Sequence, residues 1–133
     1  MTPWSGWMLF LVVAGAGGLG AGLRYAIDAI VMRGRRGVFP LGILIVNVTG
    51  SLALGVLTGL GSAIEDGWAT AIGVGLLGGY TTFSTVSVET VLLGRGGRRD
   101  WAWVNLLGTL GLAVAAAALG IGAGRLIAGW LPA

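Results

Sequence analysis

The chain has no cysteine, no histidine and no lysine, and only 10% of its residues are charged. Without cysteine there are no disulfides and no thiolate chemistry. Without histidine there are no imidazole metal sites and no histidine-based triads. The scarcity of charge excludes more, since soluble domains carry about 25% charged residues. Hydrophobic residues fill 56% of the 133 positions, and the mean hydropathy is +0.92.

Four apolar stretches take up almost the whole length, roughly 7–32, 39–61, 68–93 and 101–130. Each exceeds the about 20 residues that a helix needs to cross hydrocarbon. Lipid demands helices, because an open strand leaves its backbone unsatisfied there. The expected class is an all-α membrane protein, a single four-helix domain over residues 1–133. A secretory signal peptide is the rival reading of the first stretch. That stretch lacks a basic n-region and carries Arg24 and Asp28 towards its far end.

The cations are eight arginines, giving a net charge of +3. Arg33, Arg35 and Arg36 follow the first stretch, and Arg95, Arg98 and Arg99 follow the third. The intervening loop holds Glu65 and Asp66 and no base. All six loop arginines therefore fall on one face. The positive-inside rule makes that face cytoplasmic and puts both termini outside, in the cell's inner membrane. A basic balance explained by topology does not call for nucleic acid. Trp4, Trp7, Trp68, Trp101, Trp103 and Trp130 sit near the expected helix ends, as interfacial anchors do.

Glycine supplies 27 residues. Small residues recur every fourth position at Ala14, Gly18 and Gly22, at Ser51, Gly55 and Gly59, at Ala71, Gly75 and Gly79, and at Ala116, Gly120 and Gly124. Such rows let helix backbones approach closely in lipid. Four short helices enclose little interior, so oligomerisation is expected as well. Two formal motifs carry nothing. GAGGLG at 15–20 lies inside an apolar helix rather than a βαβ frame, and the sequon at Asn47 is mid-membrane.

The polar residues inside the apolar stretches hold the functional information. Arg24 and Asp28 are four apart and face one side of their helix, either as a neutralised pair or as a cation drawing an anion into a vestibule. Asn47 is either interhelical glue or a donor on a permeation path; Asn105 and Thr109 share a face with the same two options. GGYTTFSTVSVE, Gly78–Glu89, would break the third helix near mid-membrane. Carbonyls freed there must be buried or coordinate something, and unwound carbonyls at the midplane bind cations such as Na⁺. Phe83, Ser84, Thr85 and Glu89 follow directly. Hydroxyls, amides and a ring edge suit a small hard anion, and neutral donors let it pass rather than trapping it.

Three segments together resemble the Fluc, or CrcB, family of fluoride channels. They are GGLGAGLRY (Gly17–Tyr25), LIVNVTGSLALG (Leu44–Gly55) and GGYTTFSTVSVE. The resemblance spans nearly the full length. It implies an antiparallel dimer with two pores along the interface and passive fluoride export. It also implies a structural Na⁺ held by backbone carbonyls that map to Gly78 and Thr81. The implied fluoride path runs past Asn47, Phe83, Ser84 and Thr85, with Glu89 near the pore and Arg24 at a vestibule. The family usually has a second Phe three residues after the first, where this chain has Val86.

That substitution leaves one pore of a mixed dimer short of a ring, and both pores if the partner is identical. Combined with the one-sided arginines, it points to a subunit that inserts one way beside an oppositely oriented paralogue. The competing readings are a four-helix drug/proton antiporter working through Asp28 and a non-conducting scaffold subunit. An enzyme is disfavoured by the missing chemistry.

Overall fold

In the computed structural model the described residues are 4–35 and 39–131; Arg36, one of the loop arginines, lies outside them. Four helical spans long and apolar enough to cross a membrane run Gly6–Val31, Leu41–Ala63, Asp66–Arg95 and Arg99–Ala128. The described residues contain no strand. The molecule is an all-α membrane protein of four spans.

Helix α1 is Gly6–Val31 and α2 is Leu41–Leu60. Helix α2 starts two residues later than the apolar pattern suggests. Pro40 stands at its N-cap with φ −74° and ψ 66°, and proline steers the residue before it, Phe39, away from helical backbone. Gly61, at φ 53°, ends α2 in a conformation that costs glycine little.

The third span is composite. It comprises α3 (Asp66–Thr70), a wide π-helical segment (Ala71–Leu77), α4 (Gly78–Tyr80) and α5 (Ser84–Arg95). The fourth runs through α6 (Arg99–Trp103), a second π-helical segment (Val104–Gly108) and α7 (Thr109–Ala128). Local π-helical widening inside α-helices is frequent at functional sites.

Glycine seams join the spans in two pairs. Between α2 and α7, a Cβ at Gly55 or Gly59 would run into the carbonyl oxygen of Ala117 or Ile121. One at Gly120 or Gly124 would run into that of Leu52 or Val56. Between α1 and the third span, Gly20 lies against the Leu76 carbonyl and Gly79 against that of Gly17. Close backbone approach of this kind replaces the hydrophobic drive that lipid removes.

One expected row is not used. Gly18 and Gly22 face open space, and α1 packs through Gly17 and Gly20 instead. Helix α1 carries glycine on two faces, and the face complementary to Gly75 and Gly79 makes the contact. Trp4 also does more than anchor: it packs edge-on to Trp68 at 5.2 Å and lies against Gly67. It ties the chain before α1 to the start of the third span.

Candidate functional site

The site is built around the lapse in the third span. Helix α4 ends at Tyr80, Thr81 is extended at φ −77° and ψ 156°, and α5 starts at Ser84. Glycine pairs lower helix stability, and the threonine hydroxyls that follow offer the backbone alternative hydrogen bonds. The Thr81 N–H and hydroxyl both donate to the Leu77 carbonyl, each at 2.9 Å. The Thr82 hydroxyl accepts the Thr85 amide at 3.2 Å, which caps the first turn of α5.

Asn47 closes the lapse from α2. Its Nδ2 donates to the Thr82 carbonyl at 2.9 Å, and its Oδ1 accepts the Thr82 N–H at 2.8 Å. A carboxamide has the donor and the acceptor needed to pair both groups of one peptide-bearing residue. Each of those groups, left unpaired in a buried setting, costs about 1–3 kcal/mol. Asn47 is buried and spends its side chain on this clasp. Of its two sequence-level roles, interhelical glue is the one visible in its hydrogen bonds.

The carbonyls of Gly78, Gly79, Tyr80 and Thr81 accept no hydrogen bond from any described residue. Four carbonyl oxygens in sequence form a hard, all-oxygen donor set. Hard cations favour such a set, so the residues at this position fit Na⁺ chemistry. Tyr80 itself is fixed by a 3.0 Å hydrogen bond between its hydroxyl and that of Thr49.

A cavity of about 230 Å³ lies beside the lapse, and Asn47, Ser51, Thr82, Phe83, Val86 and Thr109 line it. Phe83 is 70% exposed, whereas Val86 is buried at 2%. Both line the cavity, and Val86 is a packed wall rather than an outward-facing group. Ser84 and Thr85 stand behind, each 3.1 Å from the Thr82 hydroxyl.

Asn105 is fully buried, and its Nδ2 donates to the Val86 carbonyl at 3.2 Å and to the Thr90 hydroxyl at 2.9 Å. Its Oδ1 and the Thr109 hydroxyl are buried without a partner among the described residues. Thr109 lines the cavity through its side chain, with the hydroxyl oxygen itself buried in the wall.

Glu89 lies elsewhere. It lines a second cavity of about 490 Å³ with Asp28, Arg35 and Arg98 at the arginine-rich end. Arg24 lines neither cavity, and it makes no ion pair with Asp28 among the described residues. The four-residue spacing allowed that pair, but the Asp28 carboxylate is turned onto Gly42 of α2.

Sequence reasoning singled out Thr82 only as part of the break and missed Ser51 and Thr90. Thr82 had a readable signal, a hydroxyl three residues before Thr85 at a helix start. Thr90 had none, because its role depends on Asn105 from another span.

A sequence model of the family described as "CrcB-like protein, Camphor Resistance (CrcB)" matches residues 11–121. The chain is 44% identical over 129 residues to "Fluoride-specific ion channel FluC 1" of Leifsonia xyli, covering 95% of this chain and 90% of that relative. It is 44% identical over 112 residues to "Fluoride-specific ion channel FluC" of Shewanella amazonensis, covering 83% and 90%. Against "Fluoride-specific ion channel FluC 2" of Mycobacterium bovis it is 41% identical over 117 residues, covering 88% and 86%.

Proposed function

The chain belongs to the CrcB family, and from that membership we propose that it is a subunit of a passive fluoride-selective channel, not an enzyme. The observation that carries the reading is the cavity beside Phe83. It combines an exposed aromatic ring, the Asn47–Thr82 clasp and the unpartnered Thr109 hydroxyl. Fluoride holds its hydration shell tightly, so a path must offer replacement donors without a fixed charge that would hold the ion. Phe83 supplies a ring edge, and Thr109, with Asn105 one turn away on the same span, places buried polar groups in the wall beside it.

The pores would lie at the interface of an antiparallel dimer, where a second subunit covers the exposed Phe83. Gly78 and Thr81 would hold a structural Na⁺ through their carbonyls. The ion would supply positive charge to backbone oxygens that lack an N–H. Ser84 and Thr85 would extend the polar lining, Glu89 would stand near the pore mouth, and Arg24 would attract anions at a vestibule. The six loop arginines support one-way insertion with that face cytoplasmic, in the inner membrane, and a separate paralogue of opposite bias as the partner.

Fluoride efflux from liposomes, read by an ion-selective electrode with chloride as control, tests the reading. The expected result is rapid fluoride loss with chloride retained. Phe83→Ile should cut fluoride loss at least about tenfold, a change of about 1.4 kcal/mol in barrier, while the protein stays folded. Unchanged flux in that variant would favour a scaffold role.

A further inference from the structure

The larger cavity, at the arginine-rich end, is not accounted for by the permeation groove. Two carboxylates and two guanidiniums line it: Asp28 from α1, Arg35 from the following loop, Glu89 from α5 and Arg98 from the turn before α6. Helix α2 contributes Ile43 and the preceding Pro40, so among the described residues these four are the charged groups that line the space.

Their arrangement is not that of a self-neutralised cluster. Asp28, Glu89 and Arg35 make no ion pair among the described residues. Arg98 is held over the Trp101 ring, its Cζ 4.3 Å from the centroid. Arg35 is exposed and is the cation free to reorient. Asp28 is half-buried with its carboxylate against Gly42.

The two cavities share the same helices. Ile43 and Asn47 are four apart on α2, and Val86 and Glu89 are three apart on α5. One member of each pair lines the larger cavity and the other lines the groove beside Phe83. The cavities therefore stand about one helical turn, ~5.4 Å, apart along both helices.

Resting on the channel reading above, we propose that this cavity is an electrostatic antechamber for the anion. Arg35 draws the ion in, and Asp28 together with Glu89 keeps it from lodging there. A cleft with low-dielectric walls focuses the field of the charges that line it. A purely cationic mouth would bind the anion too well to release it, and conduction needs entry and exit to be balanced. Asp28 is thereby a rate-setting residue, although it lies outside the groove where water would be stripped.

The test is fluoride efflux from liposomes holding the full chain, with its antiparallel partner where conduction needs one, at low and at high concentration of an impermeant salt. Arg35→Gln should lower the initial rate by up to about tenfold at low ionic strength. The deficit should narrow in high salt, where screening acts over about 3–10 Å. Asp28→Asn should raise the rate, a gain that misfolding does not produce, and the double variant should return towards the unsubstituted rate. Arg125→Gln, at the far end of α7, serves as a charge control and should leave the rate unchanged.

Flux in the unsubstituted protein with no gain from Asp28→Asn, or with a salt-independent Arg35→Gln deficit, overturns this inference alone. No fluoride flux in the unsubstituted protein overturns the channel reading and this inference with it.

Discussion

Asn47 carries two roles that a single substitution can separate. Its carboxamide donates to the Thr82 carbonyl and accepts the Thr82 N–H. Asn47→Leu removes both bonds at similar volume and should destabilise the protein by about 2–4 kcal/mol, since two backbone groups lose their partners. Asn47→Asp keeps the acceptor but sets a buried carboxylate oxygen against the Thr82 carbonyl, so it should cost at least as much. Denaturation in detergent, followed by tryptophan fluorescence, reads the order. Equal stability of all three would show that the clasp contributes nothing. Val86 is the other informative residue. It is a buried wall of the groove, and about 230 Å³ of open space adjoins it. Val86→Phe should therefore fold, with a cost no larger than the about 1–3 kcal/mol typical of added core volume. If the second ring matters for conduction, the same variant should raise fluoride flux through the chain.

The elements hold together through seams that tolerate no side chain at some glycines and any at others. Gly124 and Gly122 lie two apart on α7. A Cβ at Gly124 meets the Val56 carbonyl of α2, while nothing lies within 4 Å of one at Gly122. Gly124→Ala should lower the melting temperature in detergent, in proportion to about 1–3 kcal/mol of overpacking. Gly122→Ala should leave it unchanged or slightly raised, because alanine loses less backbone entropy in a helix. A reversed order would place α7 in a different rotation.

That rotation marks where reading from the sequence stops. The four spans were legible because hydrocarbon sets a length that each apolar run meets. The lapse near Thr81 was legible because Gly78-Gly79 and the two threonines weaken a helix locally. The partner of Asn47 was not, since a buried carboxamide accepts any nearby peptide group and Thr82 is 35 residues away. Arg24 and Asp28 show the opposite failure. Their spacing suggests a pair, yet α1 presents Asp28 to Gly42 and leaves the two unpaired among the described residues. Local spacing fixes which side chains share a face, and only packing decides what that face meets.

At the scale of the molecule, the asymmetry of charge matters most. Arg33, Arg35, Arg95, Arg98 and Arg99 flank the same ends of the spans, and Glu65 and Asp66 occupy the opposite loop. A bias of this size should fix a single orientation. A reporter protein active only in the cytoplasm should be silent when fused to either terminus. Neutralising Arg95, Arg98 and Arg99 together should produce a mixed population. The four carbonyls without N–H partners are a feature that a lipid-facing surface would not keep. The second, inverted subunit proposed above would cover them.

The most direct measurement is fluoride efflux from liposomes containing this chain, alone and then mixed with a subunit of opposite arginine bias. A fluoride channel built at an inverted interface should release fluoride and retain chloride, and it should do so at full rate in the mixture only. Retention of fluoride in both preparations would contradict a channel role, and full flux from the chain alone would contradict one-way insertion beside a paralogue.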